Sequence, residues 1–435
     1  ALSERGTSPA DRTRRLRRLA PGHHVTSFNP HFVRRDIPLL ERVINDHAIT
    51  YLDSGATSLP PRCVIEAMTR YYELRHANVH RSVFQTATEA TAAYEGARDA
   101  TARFINAPGG AEEVVFTKNT TESFNLLAKS WGWANLREGD VVLLSEMEHH
   151  ANIVPWFQLR DVRGIEVRFI PVTDDFRLDL AQLDELLDNV KLVSVTSMSN
   201  VLGTINPVRE LAAAAHGVGA LIAIDGAQSI AHGPTDVVDL DIDFLAFSAH
   251  KMLGPTGIGV FWTRAELLDQ MPPFLGGGGM IADVRLDGYT PANGPTRFEA
   301  GTPPIAEAVG LGAAVRYLQG LGMANIDVHE ENLTRDALHR LEDQFAGRVR
   351  VIGPNNVIDR GAVISLDVEG VHAHDVAQML DQFGVCVRPG HHCAKPLMRR
   401  FGLNATVRVS FGPYSLVQDT DVLLEALEHA IKMFG

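Results

Sequence analysis

Leu221-Ile222-Ala223-Ile224-Asp225-Gly226-Ala227-Gln228 and, at 244–251, Phe244-Leu245-Ala246-Phe247-Ser248-Ala249-His250-Lys251 decide the fold. Each is a short apolar run that stops abruptly at polar residues. Runs of this length read as strands buried on both faces, the habit of a parallel sheet covered by helices. Working outward, Glu113–Thr117, Val141–Ser145, Val167–Ile170 and Leu192–Thr196 have the same character. The stretches Ser123–Ser130 and Val208–His216 between them suit helices. The alternation implies an α/β architecture with a mainly parallel sheet and right-handed crossovers.

The remainder of the chain sets bounds. Its 435 residues, at roughly 150 per domain, predict two or three domains. A 45% hydrophobic and 21% charged composition excludes a largely disordered chain. The net charge of −13 argues against nucleic acid as a partner. No run approaches the ~18 apolar residues of a membrane span, and no apolar leader segment is visible. Three cysteines, Cys63, Cys386 and Cys393, are too few for a disulfide framework, so a cytoplasmic setting is expected.

Residues 1–27, with Arg12, Arg14, Arg15, Arg17 and Arg18, read as a mobile basic tail; the alternative is a targeting peptide, against which Glu4 and Asp11 weigh. The Pro- and Gly-rich stretch 272–304 reads as loop and 305–345 as helical. A second α/β pattern follows: strand Ala362–Val368, helix Ala373–Phe383, strand Val385–Arg388, loop 389–395, strand Thr406–Ser410 and helix Thr420–Phe434. These features predict a large domain over 28–315 and a smaller one over 316–435. The earliest residues, to about 45, are candidates for packing with the smaller one.

Several residues sit where chemistry is done. Lys251 directly follows a buried strand; an ammonium there is costly unless paired or neutralised, which makes it a Schiff-base candidate as well as a simple strand-end lysine. Asp225 also ends a strand, and strand carboxyl ends face the ligand crevice in open parallel sheets. It suits a protonated pyridine nitrogen, or a helix cap. The turn Thr117-Lys118-Asn119-Thr120-Thr121 leads from strand to helix and suits a phosphate. His149 follows another strand, where its ring is placed to stack on a flat ligand or to serve the structure alone. Val387-Arg388-Pro389-Gly390-His391-His392-Cys393 puts Cys393 on a loop among cationic neighbours that favour thiolate. Cys386 reads as core packing, and Cys63 opens a helix with no evident base. Arg408, inside a strand pattern, is suited to grip a carboxylate bidentately.

Taken together the chain resembles the pyridoxal-phosphate-dependent cysteine desulfurases of the SUF-type, group II branch (SufS- and CsdA-like), in the class V aminotransferase family. The resemblance covers about 28–435. It rests on Tyr51-Leu52-Asp53-Ser54-Gly55-Ala56-Thr57, Asn78-Val79-His80-Arg81, Thr120-Thr121-Glu122, Glu148 to Trp156, Ser199 to Thr204, Asp225 to Gln228, Ser248 to Gly259, Arg297 to Pro303 and Arg388 to Ala394. It implies the fold type I transferase architecture, with a seven-stranded sheet in the large domain, and pyridoxal 5'-phosphate as cofactor. It also implies conversion of L-cysteine to L-alanine, with the sulfur held as a persulfide and passed to an acceptor protein, ordinarily for iron–sulfur cluster assembly.

The implied roles are these. Lys251 is the Schiff-base lysine and proton carrier, Asp225 the partner of the ring nitrogen, and Gln228 the donor to the phenolic oxygen. His149 stacks on the ring; Thr121, Ser248 and His250 hold phosphate. Thr302 is a phosphate ligand lent by a second subunit, which implies a homodimer. Asn200, Arg388, Arg408 and His80 bind substrate, and Cys393 takes the sulfur. His374, in Val371-His372-Ala373-His374-Asp375, resembles the histidine that takes zinc from a SufU-type acceptor; otherwise His372 and His374 simply start a helix. The chain departs from the family at Tyr414-Ser415-Leu416, at Ser82-Val83-Phe84-Gln85 and in its Arg-rich leader. Two other readings remain open: a selenocysteine lyase or other class V enzyme, whose reaction needs no sulfur-accepting thiol such as Cys393, and a metal-binding protein using the clustered histidines, disfavoured by the lack of C-x-x-C spacing.

Overall fold

The computed structural model describes residues 28–434, so the basic tail expected over 1–27 lies outside the described residues. β1 is a short strand at Thr50–Tyr51, followed by α1 (Arg62–Leu74) and α2 (Gln85–Phe104). A large sheet then gathers β2 (Val114–Thr117), β3 (Val141–Ser145), β4 (Glu166–Ile170), β5 (Val190–Thr196), β6 (Leu221–Asp225), β7 (Phe244–Ser248) and β8 (Gly259–Thr263). Interleaved helices are α3 (Thr120–Leu127), α4 (Val154–Arg163) and α5 (Val208–Gly217).

The order across the sheet is β2-β8-β7-β6-β5-β3-β4. The seven-stranded, mainly parallel sheet expected is present. Only β8 reverses, pairing antiparallel with both β2 and β7, so β2 keeps the common direction. β3, β5, β7 and β8 are buried along most or all of their length, which their unbroken Val, Leu and Phe runs require. β8 escaped the sequence reading because it follows Lys251 through a continuous Gly- and Pro-rich stretch. Its first residue has to be glycine: a Cβ on Gly259 would stand 2.6 Å from Asn119 Cα. That close approach seats the amino end of α3 against β8.

Residues 272–304 hold more order than a loop. β9 (Ile281–Arg285) and β10 (Gly288–Pro291) form an antiparallel hairpin. It is largely exposed, so no alternation of apolar residues announced it. Residues 305–345 are helical as expected, as α6 (Ile305–Leu321) and α7 (Met323–Phe345), broken at Gly322. α6 lies against α1 and α2.

The second sheet is antiparallel, in the order β11-β12-β15-β14, with β11 at Val349–Ile352, β12 at Val363–Val368, β14 at Arg388–Gly390 and β15 at Thr406–Ser410. Its helices are α8 (Ala373–Gln382), α9 (Lys395–Arg400) and α10 (Val417–Phe434). The single strand expected over Val385–Arg388 is divided. β13 (Val385–Cys386) leaves the sheet to pair in parallel with β1, and β14 begins at Arg388. Pro389 lacks an amide hydrogen and is tolerated because β14 lies at the sheet edge.

The largest apolar core lies against the large sheet, a further one packs on the other face of that sheet, and another fills the second sheet. α7 gives Ile326 to the largest, and Leu333, Ala337, Leu341 and Phe345 to that of the second sheet. The loop 199–206 joins the sheets: Val201 O accepts from Ser365 Oγ at 2.7 Å, and Gly203 O accepts from Gly361 N at 2.8 Å. No described helix is long and apolar enough to cross a membrane.

Candidate active site

The carboxyl ends of β2, β3, β5, β6 and β7 open onto one cavity of about 200 Å³, where an open parallel sheet places its ligand. β6 supplies Asp225 and, just beyond, Gln228; β7 supplies Ser248, His250 and Lys251. The turn from β2 into α3 supplies Asn119, Thr120 and Thr121, the segment after β3 supplies His149, and the end of β5 supplies Thr196. Asn200 comes from the joining loop, and Arg388, His392, Cys393 and Arg408 come from the second sheet and its connections.

At one end the donors converge for an anion. Asn119 caps α3 by accepting the Glu122 amide at 3.0 Å. Ser248 Oγ accepts from the Thr120 amide at 2.9 Å and lies 2.7 Å from Thr120 Oγ1. The first-turn amides of a helix lack intrahelical acceptors and carry the positive end of its dipole. His250 lines this end, its ring held neutral because burial and then Lys251 push its pKa down to about 4.

At the other end Asp225 is only 4% exposed and accepts the Ala227 amide at 2.9 Å. It caps the turn, as one of the two sequence readings had it, yet has no ion-pair partner among the described residues. Burial alone pushes its pKa up. Gln228 Nε2 donates to Gly55 O at 2.8 Å, while its buried Oε1 has no partner among the described residues.

Lys251 Nζ reaches the same cavity without a hydrogen bond or ion pair among the described residues. Burial lowers its pKa to about 8; Asp225 opposes the shift, and Arg408 and Arg388 reinforce it. His149 Nδ1 accepts from the Ala151 amide at 3.0 Å, so the ring carries its hydrogen on Nε2. Burial, followed by Lys251, drops its pKa to about 3, so the ring stays neutral. Behind it Glu148, fully buried, accepts from Ser145 Oγ at 2.5 Å, Asn152 Nδ2 at 2.7 Å and Thr196 N at 2.9 Å. These bonds tie the His149 segment to the end of β5.

The second sheet contributes a guanidinium and a thiol. Arg408 is 2% exposed; it donates to Asp53 Oδ1 and to Asn200 O, each at 3.1 Å, and its buried Nε has no partner among the described residues. Cys393 sits on a tight turn. His391 O accepts the Ala394 amide at 2.9 Å, while His392 (φ 50°) and Cys393 (φ 57°) are both left-handed. That is the signature of a type I′ turn, ordinarily built with Gly, Asn or Asp. Two non-glycine residues there store about 1–3 kcal/mol each.

Three predicted residues lie outside this cavity. His80 pairs with Glu95 through Nε2 at 2.8 Å. Thr302 lines a separate cavity with Tyr94, Phe116 and Lys118. His374 is exposed on α8, stacked on His372 at 5.2 Å, and its amide donates to His372 Nδ1 at 3.3 Å. No three metal-ligating side chains converge among the described residues. Thr120 and His392 were read only within their motifs, and two site residues, Thr196 and Asp53, were given no role. Thr196 was findable, since it ends β5 in register with Asp225. Asp53 was not, because its partner Arg408 is 355 positions away.

Asp225 wants a cationic nitrogen, the amino end of α3 wants an anion, and between them lie a free amine and a flat neutral imidazole. Pyridoxal phosphate supplies all the complements, and the residues present fit it. The class so defined is that of the fold type I pyridoxal-phosphate enzymes. The aminotransferase class-V family profile matches residues 50–423, and the chain belongs to that family, whose enzymes use pyridoxal phosphate. A probable cysteine desulfurase of Streptomyces coelicolor is 50% identical over 409 residues, 93% of this chain and 97% of that one. The cysteine desulfurase of Haloferax volcanii is 46% identical over 416 residues, 93% and 97% of the two chains. Among solved structures, the apo cysteine desulfurase of Thermococcus onnurineus NA1 aligns with a TM-score of 0.88 at 43% identity, covering 93% of this chain and 98% of that one. The Escherichia coli cysteine desulfurase CsdA, in its S-sulfonic acid form, gives 0.85 at 38% identity, covering 94% and 100%.

Proposed function

We propose that this protein is a cysteine desulfurase that turns L-cysteine into L-alanine and holds the sulfur on Cys393 for an acceptor protein. The observation that carries the reading is that Lys251 and Cys393 line one cavity with Asp225 and Arg408. Bound pyridoxal phosphate supplies an electron sink beside the substrate Cα. Asp225 and Gln228 hold its ring, His149 covers a face, and Thr120, Thr121, Ser248 and His250 hold its phosphate. Lys251, with a pKa near 8, accepts the Cα proton and later returns one to the product. Arg408, oriented by Asp53 and Asn200 and assisted by Arg388, grips the substrate carboxylate. Cys393 Sγ then attacks the substrate sulfur. A sulfur–sulfur bond forms as the carbon–sulfur bond breaks, and the released electron pair stays with carbon.

The finer readings belong to the same proposal. The chain divides into a larger unit over 28–315 and a smaller one over 316–435. It works in the cytoplasm as a homodimer, with Thr302 lent to the site across the subunit boundary and His80 binding substrate. Its persulfide goes to iron–sulfur assembly through a SufU-like acceptor met by His374, a role supported by the exposure of that ring. Sulfide and alanine release from L-cysteine is the test. Wild type should form both; Lys251→Ala should form neither; Cys393→Ala should lose at least about a hundredfold in rate. Desulfuration by Cys393→Ala at the wild-type rate would overturn the assignment of the thiol.

A further inference from the structure

We infer that His150 is a positioning residue that latches the Cys393 turn onto the large sheet and so fixes the thiol over the cavity. This rests on the reading of Cys393 as the sulfur-accepting group. His150 grips the turn twice. Its amide donates to Cys393 O at 2.8 Å, and its ring Nε2 accepts the Lys395 amide at 3.0 Å. The two bonds bracket Ala394, which is fully buried.

It joins elements of the two sheets, as does Arg400 on α9, which reaches Val172 O at 3.2 Å and Asp174 at 2.8 Å. His150 opens the one-turn helix His150–Asn152 after β3, and the turn connects β14 of the second sheet to α9. A second tether, Asn200 Nδ2 to His392 O at 2.7 Å, fixes the preceding residue, and His392 Nε2 meets Thr406 Oγ1 at 2.9 Å. A turn with two left-handed non-glycine residues relaxes unless such outside bonds hold it. Of these bonds, only the one from Lys395 to His150 depends on an exchangeable imidazole acceptor on the large sheet's side. The latch therefore has a chemical release. Protonating Nε2 replaces the acceptor with a donor, and the Lys395 amide loses its partner.

The titratable groups facing the ring are His149 at 6.3 Å on its own segment, and His391 at 5.8 Å and Lys395 from the turn. Glu148 points away, into Ser145 and Asn152. Burial, then His391 and Lys395, lower the pKa of His150, so the latch is closed at neutral pH and opens in acid.

The test is amide hydrogen exchange at Lys395 in the full-length holoenzyme, corrected for intrinsic pH dependence, between about pH 5 and 7.5. Alanine formation is measured alongside. In wild type, protection of Lys395 should fall on acidification. His150→Ala should exchange about fivefold faster throughout, with kcat reduced and KM unchanged, because the carboxylate grip lies on Arg408. His150→Gln, which keeps a side-chain acceptor at that reach and does not titrate, should restore protection and remove its pH dependence. Unchanged Lys395 protection in His150→Ala overturns the latch even if alanine is formed. Altered protection in His150→Ala, with no alanine formed from L-cysteine by wild type, upholds the latch and overturns the desulfurase reading. If His150→Ala does not fold, wild type against His150→Gln decides: equal pH dependence overturns the latch.

Discussion

Arg408 shows how a single side chain carries binding. Its charge is buried inside a strand, one of its donors goes to Asp53 and another to a carbonyl, and Nε is left over. Removing the Asp53 charge without changing its size leaves the guanidinium free to tilt. Asp53→Asn should raise KM for L-cysteine about tenfold, worth about 1.4 kcal/mol, with a smaller change in kcat; steady-state kinetics separates the two. Lys251 gives a residue-scale test in the cofactor-free chain. Its depressed pKa means that it is protonated below about pH 8 and neutral above it, where an ordinary lysine stays charged. Reductive labelling of this amine should rise through about pH 8, and a midpoint near the usual lysine value would contradict the burial argument.

Among the elements, the short 3-10 helix Gly294–Phe298 and the segment that follows it are anchored by a buried ion pair. Arg98 on α2 donates to Glu299 Oε1 at 2.6 Å and to Oε2 at 2.8 Å; Tyr94 Oη and the Phe116 amide complete the set. Both charges are nearly enclosed. Glu299→Gln should destabilise the fold by about 1–3 kcal/mol in denaturant titration, because Arg98 loses its buried partner and keeps only the half-exposed Glu95 carboxylate and the Val114 carbonyl. Such pairing has no local pattern, which is why 272–304 reads only as loop. The same distinction runs through the whole reading. β3, β6 and β7 were legible residue for residue, since apolar runs with abrupt polar ends are local. Lys251, Asp225, His149 and the α3 turn were legible because each follows such an end. β8 and the β13–β14 division were hidden, as strand direction and partner choice depend on distant chain.

At the scale of the whole molecule, the site exists only where the two sheets meet, and the loop 199–206 is the seam. Gly203 adopts φ +73°, and a Cβ there would lie 2.6 Å from Val363 O on β12. Gly203→Ala should cost about 1–3 kcal/mol from backbone strain alone. It should also lower kcat by shifting Asn200 and the turn it tethers, which thermal unfolding and turnover measure separately. β1, meanwhile, finds its ladder partner in β13, and Asp53 meets Arg408 across 355 positions. A ribosome adding ~5–20 residues per second needs roughly 18–70 s to span that gap. For all that time the nascent amino-terminal stretch waits without its mate, so the completed carboxylate grip belongs to the finished polypeptide and not to the growing one.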